Sequence, residues 1–82
     1  MTSTEIRARI EWAIPGAIVE VNDYTGGGDH FDVRVVAQAF EGKSLVERHQ
    51  MVYAALGQAV DGQTIHALAL KTLTPTQAGQ AA

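Results

Sequence analysis

Apolar residues recur along this chain with two different periods. Ile6, Ile10, Ala13 and Ile14 fall three and four apart, the spacing that lines one face of an α-helix. Thr2 stands three residues ahead of Glu5, where a hydroxyl and a carboxylate can each satisfy the other's backbone N–H, and Pro15-Gly16 ends the run. Residues 17–24 then carry the β-branched Ile18, Val19 and Val21. Residues 30–39 alternate, with Phe31, Val33, Val35 and Ala37 on one side and His30, Asp32, Arg34 and Val36 on the other. Thr25-Gly26-Gly27-Gly28-Asp29 between them is short and glycine-rich, so the two strands are expected to form an antiparallel hairpin.

Phe40-Glu41-Gly42-Lys43 turns the chain, and Ser44 with Glu47 repeats the capping spacing at the head of a second helix. That helix is expected from residue 45 to about residue 60, with Leu45, His49, Val52, Tyr53 and Leu56 as its buried stripe and Gly57 as an interruption. Asp61-Gly62-Gln63 leads into a third strand over residues 64–73, and Thr74-Pro75 ends it. The pattern predicts an α+β domain of order α-β-β-α-β. Its three-stranded mixed sheet carries both helices on one face and leaves the other partly open. If the second and third strands pair in parallel, their connection is a right-handed crossover. One domain is expected over residues 1–76, and the small, polar residues 77–82 are expected to form a flexible, frayed tail.

Composition narrows the function classes. With 82 residues, 46% apolar and 18% charged, the chain can bury one modest core. No apolar run approaches the roughly 20 residues that cross a bilayer. Met1-Thr2-Ser3-Thr4-Glu5 lacks the basic segment and apolar run of a secretion signal, and an acid so early argues against a transit peptide. There is no cysteine, hence no disulfide and no thiolate nucleophile or metal ligand. A reducing, aqueous compartment is expected, with the cytoplasm as default and no membrane partner. A net charge of −3 with six Lys and Arg disfavours phosphate backbones as partners.

Catalysis finds no candidate constellation. No serine stands in a Gly-x-Ser-x-Gly elbow, and Gly26-Gly27-Gly28 joins two strands rather than preceding a helix N-terminus. Three histidines remain. His49 lies mid-helix beside the apolar stripe and reads as a packed residue; His30 opens the second strand. His66, in Ile65-His66-Ala67-Leu68-Ala69-Leu70, falls on the face opposite Ile65, Ala67 and Ala69, where its ring is accessible if that face is open. An iron–sulfur cluster or structural zinc takes four donors, mostly thiolates for the cluster. This chain holds no cluster alone, but it can lend one or two imidazoles to a site that another protein completes.

Phe40-x-Gly42, Val46-x-Arg48-His49-x-x-Val52-Tyr53-x-x-Leu56, Ile65-His66-Ala67-Leu68 and Thr72-x-Thr74-Pro75 together resemble the BolA family signature in order and spacing. The matching segments span roughly residues 4–76, and Gly28-Asp29-His30-Phe31 looks closest to the short bacterial, IbaG-type branch. The resemblance implies a class II KH-like fold. It also implies a heterodimer, formed from a chain that is monomeric alone, with a monothiol glutaredoxin of the Cys-Gly-Phe-Ser type. In such a complex the glutaredoxin cysteine, glutathione and a histidine of the BolA-like partner bridge a [2Fe–2S] cluster. The family's metal ligand maps onto His66. The second ligand lies in the hairpin loop, which is glycine here, leaving His30 as the nearest donor; Arg48, His49 and Lys71 are the candidate partner-binding residues. Ala78 replaces a tryptophan frequent after Thr-Pro. Some members are described as DNA-binding regulators, which supplies an alternative of another class, with only weak DNA binding expected. The Gly-x-x-Gly loop by which KH domains hold nucleic acid is absent here.

Overall fold

The computed structural model describes residues 2–23, 30–57 and 67–81. Its elements run α1 (Ser3–Ala13), β1 (Ile18–Asp23), β2 (His30–Val36), a 3-10 turn (Gln38–Phe40), α2 (Leu45–Leu56), β3 (Ala67–Leu73) and α3 (Pro75–Ala81). The α-β-β-α-β order is therefore present, with one helix added at the C-terminal end. β2 is the central strand, antiparallel to β1 with Ile18 opposite Val36, and parallel to β3 with His30 opposite Ala67.

Both expected caps are made. Thr2 Oγ1 accepts from the Glu5 N–H at 3.1 Å, and Ser44 Oγ from that of Glu47 at 3.2 Å; the Glu47 carboxylate returns to the Ser44 N–H at 2.9 Å. Hydrogen bonds to the Glu47 carboxylate from the Ser44 backbone N–H and then from the Ser44 side chain hold the Glu47 acid below its ordinary value. The helix ends at Leu56, and the residues expected to extend it to position 60 lie outside the description. Gly57 follows with φ of 63°, a conformation that glycine adopts without the Cβ clash of other residues. α2 has no basic residue in its last turn to meet its terminal carbonyls. Arg9 of α1 does so, its Nη1 donating to the Leu56 carbonyl at 3.1 Å.

The core lies between one sheet face and two helices. Ile6, Ile10 and Ile14 from the α1 segment meet Val19, Phe31, Val33 and Val35 from the sheet, with Val52 and Leu56 from α2 and Phe40 from the 3-10 turn. Each such side chain contributes about 1.5–3 kcal/mol when fully buried. The strand expected to reach residue 39 leaves the ladder after Val36. Ala37 stays extended, donating to Leu73 O at 3.0 Å, and the 3-10 turn then brings Phe40 into the core. Val36 is buried although its parity assigns it to the outer face; it lies in register between Ile18 and Leu73 where the chain leaves the sheet. None of the described helices is long and apolar enough to cross a membrane.

Two expectations are corrected. The buried stripe of α2 is Arg48, Val52 and Leu56; Leu45 and Tyr53 are exposed and His49 is half-buried. The stripe is thus rotated from the purely apolar one, because a buried arginine occupies its first position. The region expected to be a frayed tail instead forms α3. Thr74 caps it: the Gln77 N–H donates to Thr74 Oγ1 at 3.2 Å, and the Thr74 N–H to Gln77 Oε1 at 2.9 Å. Thr74-Pro75-Thr76-Gln77 carries the capping spacing with proline at the first helical position, a legible signal. Arg48 Nη1 donates to that same Gln77 Oε1 at 2.9 Å, its Nε to Lys43 O at 3.0 Å, and its guanidinium stacks 5.9 Å from the Phe40 ring centre.

Arg48→Ala is expected to lower the unfolding free energy by about 2 kcal/mol, since it removes charge-assisted bonds at a buried position. Gln77→Ala costs about 1 kcal/mol, and Arg48→Lys does not restore Arg48→Ala, because an ammonium cannot reproduce the fork. Urea denaturation followed by circular dichroism measures all three. The lowered acidity of Glu47 gives a second expectation. A depressed folded-state pKa stabilises the fold above the unfolded value, and that stability is lost as pH falls from the ordinary glutamate range through the lowered one. A Glu47→Gln variant should show a shallower acid limb in a pH series of melting temperatures.

Candidate functional site

Of the candidate ligands, His30 is placed by the structure, at one end of the sheet. His30 is the first residue of β2 and pairs with Ala67, the first described residue of β3. His66 is one peptide link before Ala67 and lies outside the described residues, as does the glycine-rich segment 24–29. Within β3, Ala69 and Lys71 are exposed on the outer face, while Thr72 is buried and Leu70 packs against the core. Ala69, expected on the side away from the accessible one, is therefore itself exposed. Among the described residues no group of three His, Asp or Glu side chains gathers as a metal site.

The outer face is a shallow, mixed-charge depression lined by Glu20, Val21, Asn22, Asp32, Arg34 and Lys71. Strand register puts Glu20, Arg34 and Lys71 in one row across three strands. Arg34 Nη1 stands 3.6 Å from Glu20 Oε1, a solvent-exposed pair of small energetic value. Lys71 has no acid within ion-pair distance among the described residues, so it is the row's available cation.

The three candidate partner-binding residues do not share a surface. Lys71 is on the outer face, whereas Arg48 and His49 sit on α2 across the core. Arg48 is buried and its guanidinium is committed to Lys43, Gln77 and Phe40. His49 is half-buried, its ring edge-on to Tyr53 at 6.3 Å between centres and 69° between planes. This agrees with the packing role expected of it. Sequence periodicity missed the exposed apolar side chains: Trp12, Leu45 and Val46 are all more than half exposed. Their types alone signal burial, and only the helix orientation reveals otherwise.

The comparisons with known proteins now decide the family. The family model for BolA-like protein matches residues 15–77, most of the chain. The chain belongs to the BolA family. It is 42% identical over 79 residues to Protein BOLA2 of Arabidopsis thaliana, covering 94% of this chain and 83% of that one. BolA-like protein 1 of Pongo abelii is 37% identical over 82 residues, covering 92% of this chain; the chain spans only 59% of that relative's length. The structure of a BolA protein homologue from Coxiella burnetii superposes with a TM-score of 0.78 at 36% identity, over 96% of this chain and 97% of that one. The α-β-β-α-β order with a three-stranded mixed sheet is thus the BolA fold.

His49→Ala is expected to lower the unfolding free energy by about 1 kcal/mol through loss of the ring contact. Lys71→Ala, at an exposed position, should change it by less than about 0.5 kcal/mol. Thermal melts of the two variants side by side test the contrast.

Proposed function

We propose that this BolA-family chain is a non-catalytic partner of Cys-Gly-Phe-Ser monothiol glutaredoxins, lending His66 to a [2Fe–2S] cluster shared with the glutaredoxin cysteine and glutathione. The observation that carries the reading is the donor set. The chain has no cysteine, and of its three histidines His49 packs against Tyr53 on α2. The other two are His30, at the start of β2, and His66, one link before its register partner Ala67. Such a set fits a shared site and not a resident one, since iron–sulfur clusters are held mostly by thiolates.

A [2Fe–2S] centre, when bound, supplies one-electron chemistry, and imidazole ligation raises its potential and admits proton coupling. The roles of this chain's residues in that state are limited and definite. His66 donates a ring nitrogen to one iron, and His30 is the candidate second donor. Lys71, beside an Arg34 already paired with Glu20, gives the outer face a cation for a partner's acids. The cytoplasm is the compartment in which the reading places the complex, and iron–sulfur trafficking or iron homeostasis is its setting.

The test mixes this chain with a Cys-Gly-Phe-Ser glutaredoxin, iron, sulfide and glutathione, and records visible absorption and circular dichroism. A heterodimer should form whose spectrum differs from that of the glutaredoxin alone, because a nitrogen replaces a sulfur. His66→Ala should abolish the difference while remaining folded, and His30→Ala should at most shift the stability of the cluster. An unchanged mixed spectrum with folded His66→Ala overturns the ligand assignment. A stable cluster on this chain alone overturns the ligand count.

A further inference from the structure

Arg48 is 8% exposed and keeps its charge at any ordinary pH, yet all its partners are neutral. Its Nε donates to the Lys43 carbonyl and its Nη1 to the Gln77 amide oxygen, with the Phe40 ring alongside. Among the described residues no acid stands within ion-pair distance of it. A carboxylate in the place of Gln77 would hold this cation more strongly than dipoles alone do. Gln77 also indicates what kind of group fits. Its side-chain amide is the neutral isostere of a carboxylate and already presents a planar oxygen to the guanidinium at 2.9 Å.

The element that carries Gln77 is weakly held. α3 has seven residues, and Pro75, Thr76, Gln77 and Gly79 are all exposed, with only Ala78 half-buried among its described side chains. Gly79 lies inside the helix, where glycine is less favourable than alanine, and a Cβ there would meet no atom within 4 Å. So short a helix does not persist by its own backbone bonds. The Thr74 cap and the Arg48 bond are what hold it.

We propose that α3 is a displaceable strap, which opens at Thr74 and lets Arg48 take an external carboxylate in place of the Gln77 amide. The rest of the guanidinium stays anchored through Lys43 and Phe40 when Gln77 leaves, so its Nη edge is offered in a fixed orientation. In the closed state Gln77 competes as a tethered ligand. An incoming carboxylate therefore binds with its intrinsic affinity reduced by the open fraction. The cluster-ligand reading uses neither Arg48 nor α3, so either proposal can fail without the other.

Nuclear magnetic resonance of the isotope-labelled full chain tests both halves. The Ala78 N–H, bonded to Thr74 O at 2.9 Å, reports opening by hydrogen exchange. It should exchange at least about tenfold faster than the N–H groups of the core residues Val33 and Val52. Gly79→Ala, which favours the helix, should slow it about fivefold. The Arg48 Nε–H resonance reports the ligand. Acetate should shift it saturably in Gln77→Ala and, at higher concentration, in the native chain. It should not do so in Gln77→Glu, where a tethered carboxylate keeps both the cap and the arginine bond. A blocked peptide carrying one glutamate is the second arm: tighter binding than acetate assigns the site to a protein acid, weaker binding to a small one. Exchange at Ala78 as slow as in the core overturns the strap. A shift that chloride reproduces at equal ionic strength, no saturable shift in folded Gln77→Ala, or Gln77→Glu titrating like Gln77→Ala overturns the carboxylate. Should Gln77→Ala not fold, Gly79→Ala decides, since it must weaken acetate binding by the same factor by which it slows exchange.

Discussion

The fold depends on β2 having a neighbour on each side. Its inward row, Phe31, Val33 and Val35, is wholly buried, and its two ladders run in opposite senses. An antiparallel neighbour can be reached by a short turn, whereas a parallel one requires the chain to travel back along the sheet before starting again. The stretch that travels back contains α2, and α2 brings Val52 and Leu56 onto the same sheet face that α1 covers with Ile6 and Ile10. One pairing choice thus dictates which face is core and which is left to solvent. It also dictates that His30 and Ala67 come to the same end.

Arg48 closes the arrangement at the other end. A buried cation is expensive unless every part of it is partnered, and here one guanidinium reaches a turn carbonyl, a side-chain amide and an aromatic face. Its amide partner, Gln77, also caps α3, so the 3-10 turn, the head of α2 and the C-terminal helix are joined through two side chains. Arg9 makes the equivalent link at the tail of α2, where that helix has no cation of its own. The two arginines are therefore internal fasteners, and the mixed-charge outer face is left to Arg34 and Lys71.

Among the histidines, residue type alone does not distinguish roles. His49 is tied into α2 by Tyr53, while His30 stands at a strand start. The separation of packing histidine from candidate donors follows from where the elements begin and from what packs beside them. The same holds for Trp12, which composition would assign to the core and which the orientation of α1 leaves in water.

What the sequence determined by itself was local and periodic. The capping pairs at Thr2 and Ser44, the alternation of β2, the element order and the lack of any thiolate depend on residues a few positions apart or on simple counting. The Thr74-Gln77 cap was equally local and legible, though the small residues after it suggested a loose tail. Tertiary structure decided the rest. The buried Arg48 of α2 is partnered by Gln77, 29 positions away, and the Leu56 carbonyl at the end of α2 by Arg9, 47 positions away. The phase of β3 depends on its register with β2. These are long-range partnerships, and an amphipathic pattern with a buried charge in it cannot announce them, because the partner that makes burial affordable is visible only once the chain has folded.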